Sequence, residues 1–342
     1  MRCWQVLLLL GAGAGSCVHH SWFHADRRAL RQTDTARLLQ PLARNSLEWW
    51  YFNGHLHDSS GREYAFHTAL FRRYTFPFRS IWMSNTALAD LANDTVIRHY
   101  HFYGSREFRI ATKAGPEIEG PTIGFSRQSR AWQLRAQEAS FGLELLGESG
   151  TAPVAMAPNA VMHCGKQQVG YLSMPWLDWR GKLRMGDSSV YVSGIGWFDR
   201  QWSALKLTGR RYSWNWISLG HDSFRLMVFG IRDDRKDTNY LHAAVVGPDG
   251  AVRHYPAESW MLHGSEPLDK GTGGKEFPQI WQLWIPGMDL KVCMKARVAD
   301  AVMTLRAFRW PFMTYWEGPA EAWGLYRGEP FRSHAYIELT RQ

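Results

Sequence analysis

The sequence has little cysteine, little charge and no extended apolar run. Only 4 of its 342 residues are Cys, and they lack the paired spacing of a zinc site. With Cys3 in a cleaved leader and Cys17 modified, Cys164 and Cys293 remain, which excludes a multi-bridge scaffold. A single disulfide and two buried thiols both stay open. Charged residues make up 21% of the chain, for a net charge of +9. The Lys and Arg are scattered, with no basic stripe and no recognition motif, so no nucleic-acid partner is expected. The apolar run Val6–Leu10 is too short to span a bilayer. Several signatures are also absent. There is no Gly-x-Ser-x-Gly elbow and no His-Glu-x-x-His zinc motif. Gly11–Gly15 follows no strand of a βαβ unit, and Lys275 is followed by Glu276, so neither glycine run is a nucleotide loop.

What the chain has in excess is aromatic residues, 14% including 18 Trp, together with 31 Gly. Large aromatics favour strands and dominate core energetics, so the expectation is an all-β protein with an aromatic interior. Its centre is Gly194-Ile195-Gly196-Trp197-Phe198-Asp199-Arg200-Gln201-Trp202. Glycines in a strand pattern mark a bend or a close backbone approach, and an acid here lies between two large rings. A second aromatic knot, Tyr212–Trp216, follows, and the two knots are expected where two barrels meet.

The N-terminus reads as an export signal over 1–16: Arg2, the apolar run, small residues, then Cys17 as in a bacterial lipobox. This predicts lipidation of Cys17 and residence at the periplasmic face of the envelope, on the outer membrane. Residues 17–44 form a tether with one short helix.

Strand signals then succeed one another. Glu48–Leu56 and Tyr64–Arg72 form a hairpin, as do Ile81–Leu91 and Val96–Phe102, with further strands at Thr122–Ser126, Ala131–Ala136 and Phe141–Leu146. Thr151–Gln168 reads as a long loop. Val169–Met174, Gly181–Leu183 and Val190–Gly194 lead into the centre. The hairpin Tyr212–Leu219 with Phe224–Ile231 opens a second domain. Strands follow at Tyr240–Val246, Val252–Tyr255, Ile280–Ile285, Leu290–Arg297, Val302–Arg309 and Ala335–Thr340, and His263–Pro278 reads as a surface loop. The expected domains are 45–205 and 206–342. A faint echo links them: Trp49-Trp50-Tyr51 precedes His57-Asp58-Ser59 much as Trp214-Asn215-Trp216 precedes His221-Asp222-Ser223, which suggests two related barrels.

Glu48-Trp49-Trp50-Tyr51 with Gly54-His55-Leu56, Ser193-Gly194 through Trp202, Trp214-Asn215-Trp216, Tyr315-Trp316-Glu317-Gly318 and Ala335–Leu339 resemble, in order, the motifs of the carotenoid 1,2-hydratase-like and AttH-like family. The resemblance implies two lipocalin-like (calycin-type) antiparallel β-barrels in tandem. It also implies a hydratase constellation, Tyr-x-Asp with His-x-Trp upstream. Here Trp197-Phe198-Asp199 keeps the acid alone, Tyr171 stands in the upstream stretch, Gln201 replaces a common Glu, and Ser84-Asn85 replaces His-Phe.

Adding water to an isolated C=C needs a strong acid, a stabilised cation and a placed water. Asp199 is the first candidate acid, with Glu48 and Glu317 behind it; a pairing of Glu48 with Arg72 or Arg73 and of Asp199 with Arg200 are the structural alternatives. Trp49, Trp50, Tyr51, Tyr171, Trp197, Trp202, Trp214 and Trp216 are the expected ligand-binding residues. The pairs His55/His57 and His99/His101 alternate onto one strand face, a geometry that permits a metal, but no metal and no cofactor is expected. The favoured reading is an envelope-anchored protein holding an apolar small molecule of lipid or isoprenoid type. A hydro-lyase of the carotenoid 1,2-hydratase type is the alternative, and a structural partner of envelope export machinery the third.

Overall fold

The structure, a computed structural model, describes residues 35–42, 47–75, 79–112, 115–157, 160–164, 167–203, 212–233, 238–268, 277–307 and 310–340. The expected signal, Cys17 and most of the tether lie outside the described residues. The tether's described part is a single α-helical turn, α1 (Thr35–Leu38).

Apart from three 3-10 turns, Ser105–Glu107, Ala257–Ser259 and Pro286–Met288, the regular structure among the described residues is strand. The first sheet contains β1 (Leu47–Asp58), β2 (Glu63–Thr75), β3 (Arg79–Asp90), β4 (Thr95–Gly104), β5 (Arg109–Ala111), β6 (Glu117–Glu119), β7 (Ile123–Gln128), β8 (Ala131–Gln137), β9 (Phe141–Ser149), β10 (Val154–Ala155), β11 (Val161–Cys164), β12 (Gln167–Met185) and β13 (Ser188–Ser203). The second contains β14 (Tyr212–His221), β15 (Phe224–Asp233), β16 (Thr238–Val246), β17 (Val252–Pro256), β18 (Met261–Leu268), β19 (Phe277–Ile285), β20 (Leu290–Ala296), β21 (Val302–Ala307), β22 (Trp310–Tyr326) and β23 (Glu329–Thr340). The fold is therefore two curled antiparallel sheets in tandem, lipocalin-like, as expected. Their strand orders correspond: β4-β3-β2-β1-β13-β12-β9-β8-β7 in one and β17-β16-β15-β14-β23-β22-β20-β19-β18 in the other. In each, the first strand pairs with the last, and short strands, β10 and β11 in the first sheet and β21 in the second, add to the long penultimate strand.

Packing divides the chain into two units. One holds residues up to 60, His67–Thr86 and 99–206; the other holds Gly61–Phe66, Ala87–Arg98 and 207–342.

Three expectations need correction. The stretch Thr151–Gln168 is not all loop, because β10 and β11 both pair with β12. Similarly, β18 occupies the start of the stretch read as a surface loop and pairs with β19; residues 269–276 lie outside the described residues. Finally, Val169–Met174 and Gly181–Leu183 are pieces of one strand. A register shift between Met174 and Leu177 absorbs Pro175, since a bulge removes the need for the N–H that proline lacks.

Strand alternation puts two different faces on the first sheet. One is an aromatic core: the Phe52 ring lies 4.8 Å from Phe198, 5.2 Å from Trp132 and 5.3 Å from Phe125. Such pairs add about 0.5–1.5 kcal/mol each to the burial term. Gly194 and Gly196 serve close approach. A Cβ on Gly194 would meet the His55 carbonyl at 1.9 Å, and one on Gly196 would meet the Trp179 indole at 2.0 Å.

Candidate functional site

The other face of the first sheet is also buried, and it is polar. Because β13 runs between β1 and β12, Asp199 stands opposite Tyr51 on one neighbour and opposite Ser173 on the other. Residues facing each other across antiparallel strands share a face. The row continues onto β2 and β3, where the His67 ring stacks on Tyr51 at 6.3 Å and its Nε2 lies 3.4 Å from Asn85 Oδ1. Ser173, Asp199, Tyr51, His67 and Asn85 are all buried. Flanking them, Trp197 faces Asn53, and Gln201 faces Trp49 and Tyr171. Asn53 donates to the Tyr51 hydroxyl at 3.2 Å.

Three neutral donors meet the Asp199 carboxyl. The Trp197 indole donates to Oδ1 at 2.6 Å, and the Ser173 hydroxyl donates to the same oxygen. The Tyr171 hydroxyl donates to Oδ2 at 2.6 Å. Burial penalises the charged form and outweighs these bonds, which favour it. The result is a carboxyl raised to about 7. An acid that titrates near neutrality can both give and take a proton.

Arg200 does not pair with Asp199. Adjacent strand residues point to opposite faces, and Arg200 enters the core face, fully buried. There it pairs with Glu48, which also pairs with Arg72 at 2.8 Å. Its guanidinium stacks 4.1 Å from the Trp50 ring and 5.6 Å from Trp202, and it donates to the carbonyls of Leu38 and Gln40 at 3.2 and 3.0 Å. Leu42 N–H donates to Glu48, and the Trp50 indole to the Leu39 carbonyl. Glu48, Trp50 and Trp202 thus build a clasp that holds residues 38–42 against the sheet, on the face away from Asp199.

Of the expected ligand-binding residues, Trp49, Tyr51, Tyr171 and Trp197 share the face of Asp199, and Trp50 and Trp202 do not. Trp214 and Trp216 belong to β14, where Trp216 faces Glu338 and Glu338 faces Glu317. The Trp214 indole donates to Glu338 at 3.0 Å. Glu317 is buried, while its neighbour Trp316 points into the apolar core of that sheet, 5.6 Å from Trp281. The sequence does not mark Ser173, His67, Asn53 or Asn85 as site residues, and Asn85 enters it only as a departure from the family motif. Ser173 was within reach, standing two residues from Tyr171 and hence on its face; His67 and Asn85 required the cross-strand register. Cys293 is a free thiol.

Comparison places this geometry among known folds. A crystal structure of an AttH-type protein from Nitrosomonas europaea is similar at TM-score 0.75 and 22% identity, over 88% of this chain and 94% of that one. Kievitone hydratase from Nectria haematococca is similar at TM-score 0.69 and 15% identity, over 89% and 91%. CghA, solved with Sch210972, is similar at TM-score 0.54 and 13% identity, over 86% and 88%. No curated protein sequence matches the chain. The family model described as AttH-like matches residues 33–341, and the chain belongs to that family.

Proposed function

We propose that the chain is an acid–base enzyme that adds water to, or removes it from, an apolar unsaturated small molecule, with Asp199 as the proton carrier. The observation that carries this reading is the Asp199 carboxyl: fully buried, raised to about 7, and met, among the described residues, by neutral donors alone. In the forward direction Asp199 gives its proton to one alkene carbon and leaves a cation on the other. Aromatic faces such as Tyr51 and Trp197 stabilise a desolvated cation by about 2 kcal/mol. Water then bonds to the cation and returns a proton to the Asp199 carboxylate, so one water is added and the acid is restored. The hydratase among the structural neighbours supports this choice of reaction at the level of fold.

A second reading, an apolar ligand held without chemistry, draws on the fact that both Asp199 oxygens already accept hydrogen bonds. One experiment separates the two. The full chain is incubated in heavy-oxygen water with linear isoprenoid and prenylated aromatic alkenes, and products are weighed by mass spectrometry beside Asp199→Asn. Label uptake that disappears in the variant supports the enzyme. Uptake that survives removes Asp199 from the role. No uptake, with an unmodified lipid recovered from the native protein, leaves the binding reading. The proposal includes an envelope anchor at Cys17, supported by the leader and small-residue run before it; Cys17→Ser should release the protein from the membrane fraction.

A further inference from the structure

On β4, His99, His101 and Tyr103 alternate and so share one face. The two imidazoles stack with centroids 6.3 Å apart and planes 6° from parallel. Opposite them is the turn that joins β8 to β9, which carries Glu138 and Ser140. His101 Nε2 lies 2.8 Å from Glu138 Oε2, and His99 Nε2 lies 2.7 Å from Ser140 Oγ. One ligand atom from each of His99, His101 and Glu138 falls within 4.8 Å of the others.

The turn itself is fixed. Glu138 N–H donates to the Phe141 carbonyl at 2.9 Å, and Arg184 donates to the Glu138 carbonyl at 2.8 Å. The Glu138 side chain is 2% exposed, yet its Oε1 is buried without a hydrogen-bond partner among the described residues. A buried carboxylate oxygen left unpaired costs more than a typical hydrogen bond contributes. His101 satisfies one oxygen and leaves the other unpaired beside the cluster's own carboxylate contact.

We propose that His99, His101 and Glu138 form a divalent transition-metal site of the zinc class. Two imidazoles and one carboxylate are the donor set of open zinc sites, with bonds of about 2.0–2.2 Å. Small side-chain rotations draw the three ligand atoms to that spacing, and Ser140 Oγ or a water takes the fourth position. Imidazole nitrogens disfavour magnesium and calcium, and zinc, copper and nickel suit them. The metal ties the edge strand β4 to the β8–β9 turn and stabilises the first unit by an amount that grows with the logarithm of free metal above its dissociation constant.

The test uses the full chain, stripped with a chelator, loaded with zinc ion alone and desalted. Metal content, zinc titration and thermal melting are compared with the double variant His99→Ala/His101→Ala and with Glu138→Gln. Every other histidine of the chain is unchanged in all three proteins, so any zinc held elsewhere contributes equally to each. The expected result is a single retained zinc in the parent chain and binding weakened by about tenfold or more in both variants. Zinc should raise the melting temperature by several degrees in the parent chain alone. If Glu138→Gln does not fold by circular dichroism, the histidine variant decides. Equal zinc content in parent and variant, or none in the parent, overturns the site.

Discussion

On the first sheet the residue facing Tyr51 is Asp199; on the second, the residue facing Trp216 is Glu338. The strand orders correspond, and the echo between Trp49-Trp50-Tyr51 and Trp214-Asn215-Trp216 aligns these two positions. Each acid accepts a hydrogen bond from a nearby indole, Trp197 or Trp214. What lies beyond the acid differs. Asp199 meets the hydroxyls of Ser173 and Tyr171, whereas Glu338 faces a second carboxylate, Glu317. Burial and these two glutamates push the Tyr336 phenol well above its ordinary value. A lone buried acid among neutral donors is poised to exchange a proton. A facing pair of carboxylates beside a suppressed phenol ionisation has a different electrostatic character, and the proposed chemistry belongs to the first sheet alone.

The contrast is tested most severely by exchanging acids for amides. Asp199→Asn should lower water addition by about 10²–10⁴-fold, the usual contribution of a positioned general acid. Glu338→Gln should stay within a few-fold of the parent chain. Equal losses would erase the distinction between the sheets.

The core faces differ too. Where the first sheet buries Arg200, the corresponding position of the second is Leu339, next along from Glu338. Copying that choice, Arg200→Leu, leaves Glu48 with Arg72 and the Leu42 N–H alone and cuts the carbonyls of Leu38 and Gln40 loose. Breaking a buried pair in this way costs about 3–5 kcal/mol. Urea unfolding should show the loss, and adding Glu48→Met should recover part of it. No recovery would mean that the clasp acts through packing of residues 38–42 and not through charge.

A third test uses pH. The folded Asp199 value of about 7 lies above the ordinary 3.8. Between those values the folded chain keeps a proton that the unfolded chain has lost, so this group's contribution is fully present below about pH 4 and is lost as pH rises through 7. The difference, 7 − 3.8, corresponds to on the order of 4 kcal/mol at most. Asp199→Asn should therefore gain stability relative to the parent chain at pH 8 and lose that advantage by pH 4. A difference in melting temperature that does not change with pH would contradict the raised value. Hydration that depends on the protonated acid should fall over the same upper range.

Much of this architecture is legible in the sequence, and the failures have physical causes. Both opening hairpins show clear alternation and turn residues, so β1 to β4 and β14 to β15 fall where the pattern puts them. The long strands β12 and β22 do not, because Pro175, Pro311 and Pro319 interrupt them; the register shift after Met174 accommodates the first of these. Asp199 was visible as an acid among rings, and the pairing of Glu48 with Arg72 was visible as the ordinary alternative. The remainder of the polar row was not. His67 and Asn85 join Asp199 only through cross-strand neighbours far apart in the chain, and nothing local distinguishes a strand histidine on this face from one in solvent. The same limit hid Glu138, whose unpaired oxygen exists only once the β8–β9 turn meets β4.

The smallest test separates the two indoles. The hydrogen bond from Trp197 favours the charged form of Asp199 and so opposes the effect of burial. Trp197→Phe keeps an aromatic ring and deletes that donor, the weakest of the three, which should raise the Asp199 value further. Trp214→Phe deletes the corresponding donor to Glu338 and should leave Asp199 where it is. Carbon-13 labelling of the aspartate carboxyls, followed by NMR through pH 5–9, reads both. An Asp199 titration that does not move in Trp197→Phe would show that Ser173 and Tyr171 alone hold the carboxylate, and the likeness between the two acid–indole pairs would then be one of position without shared electrostatics.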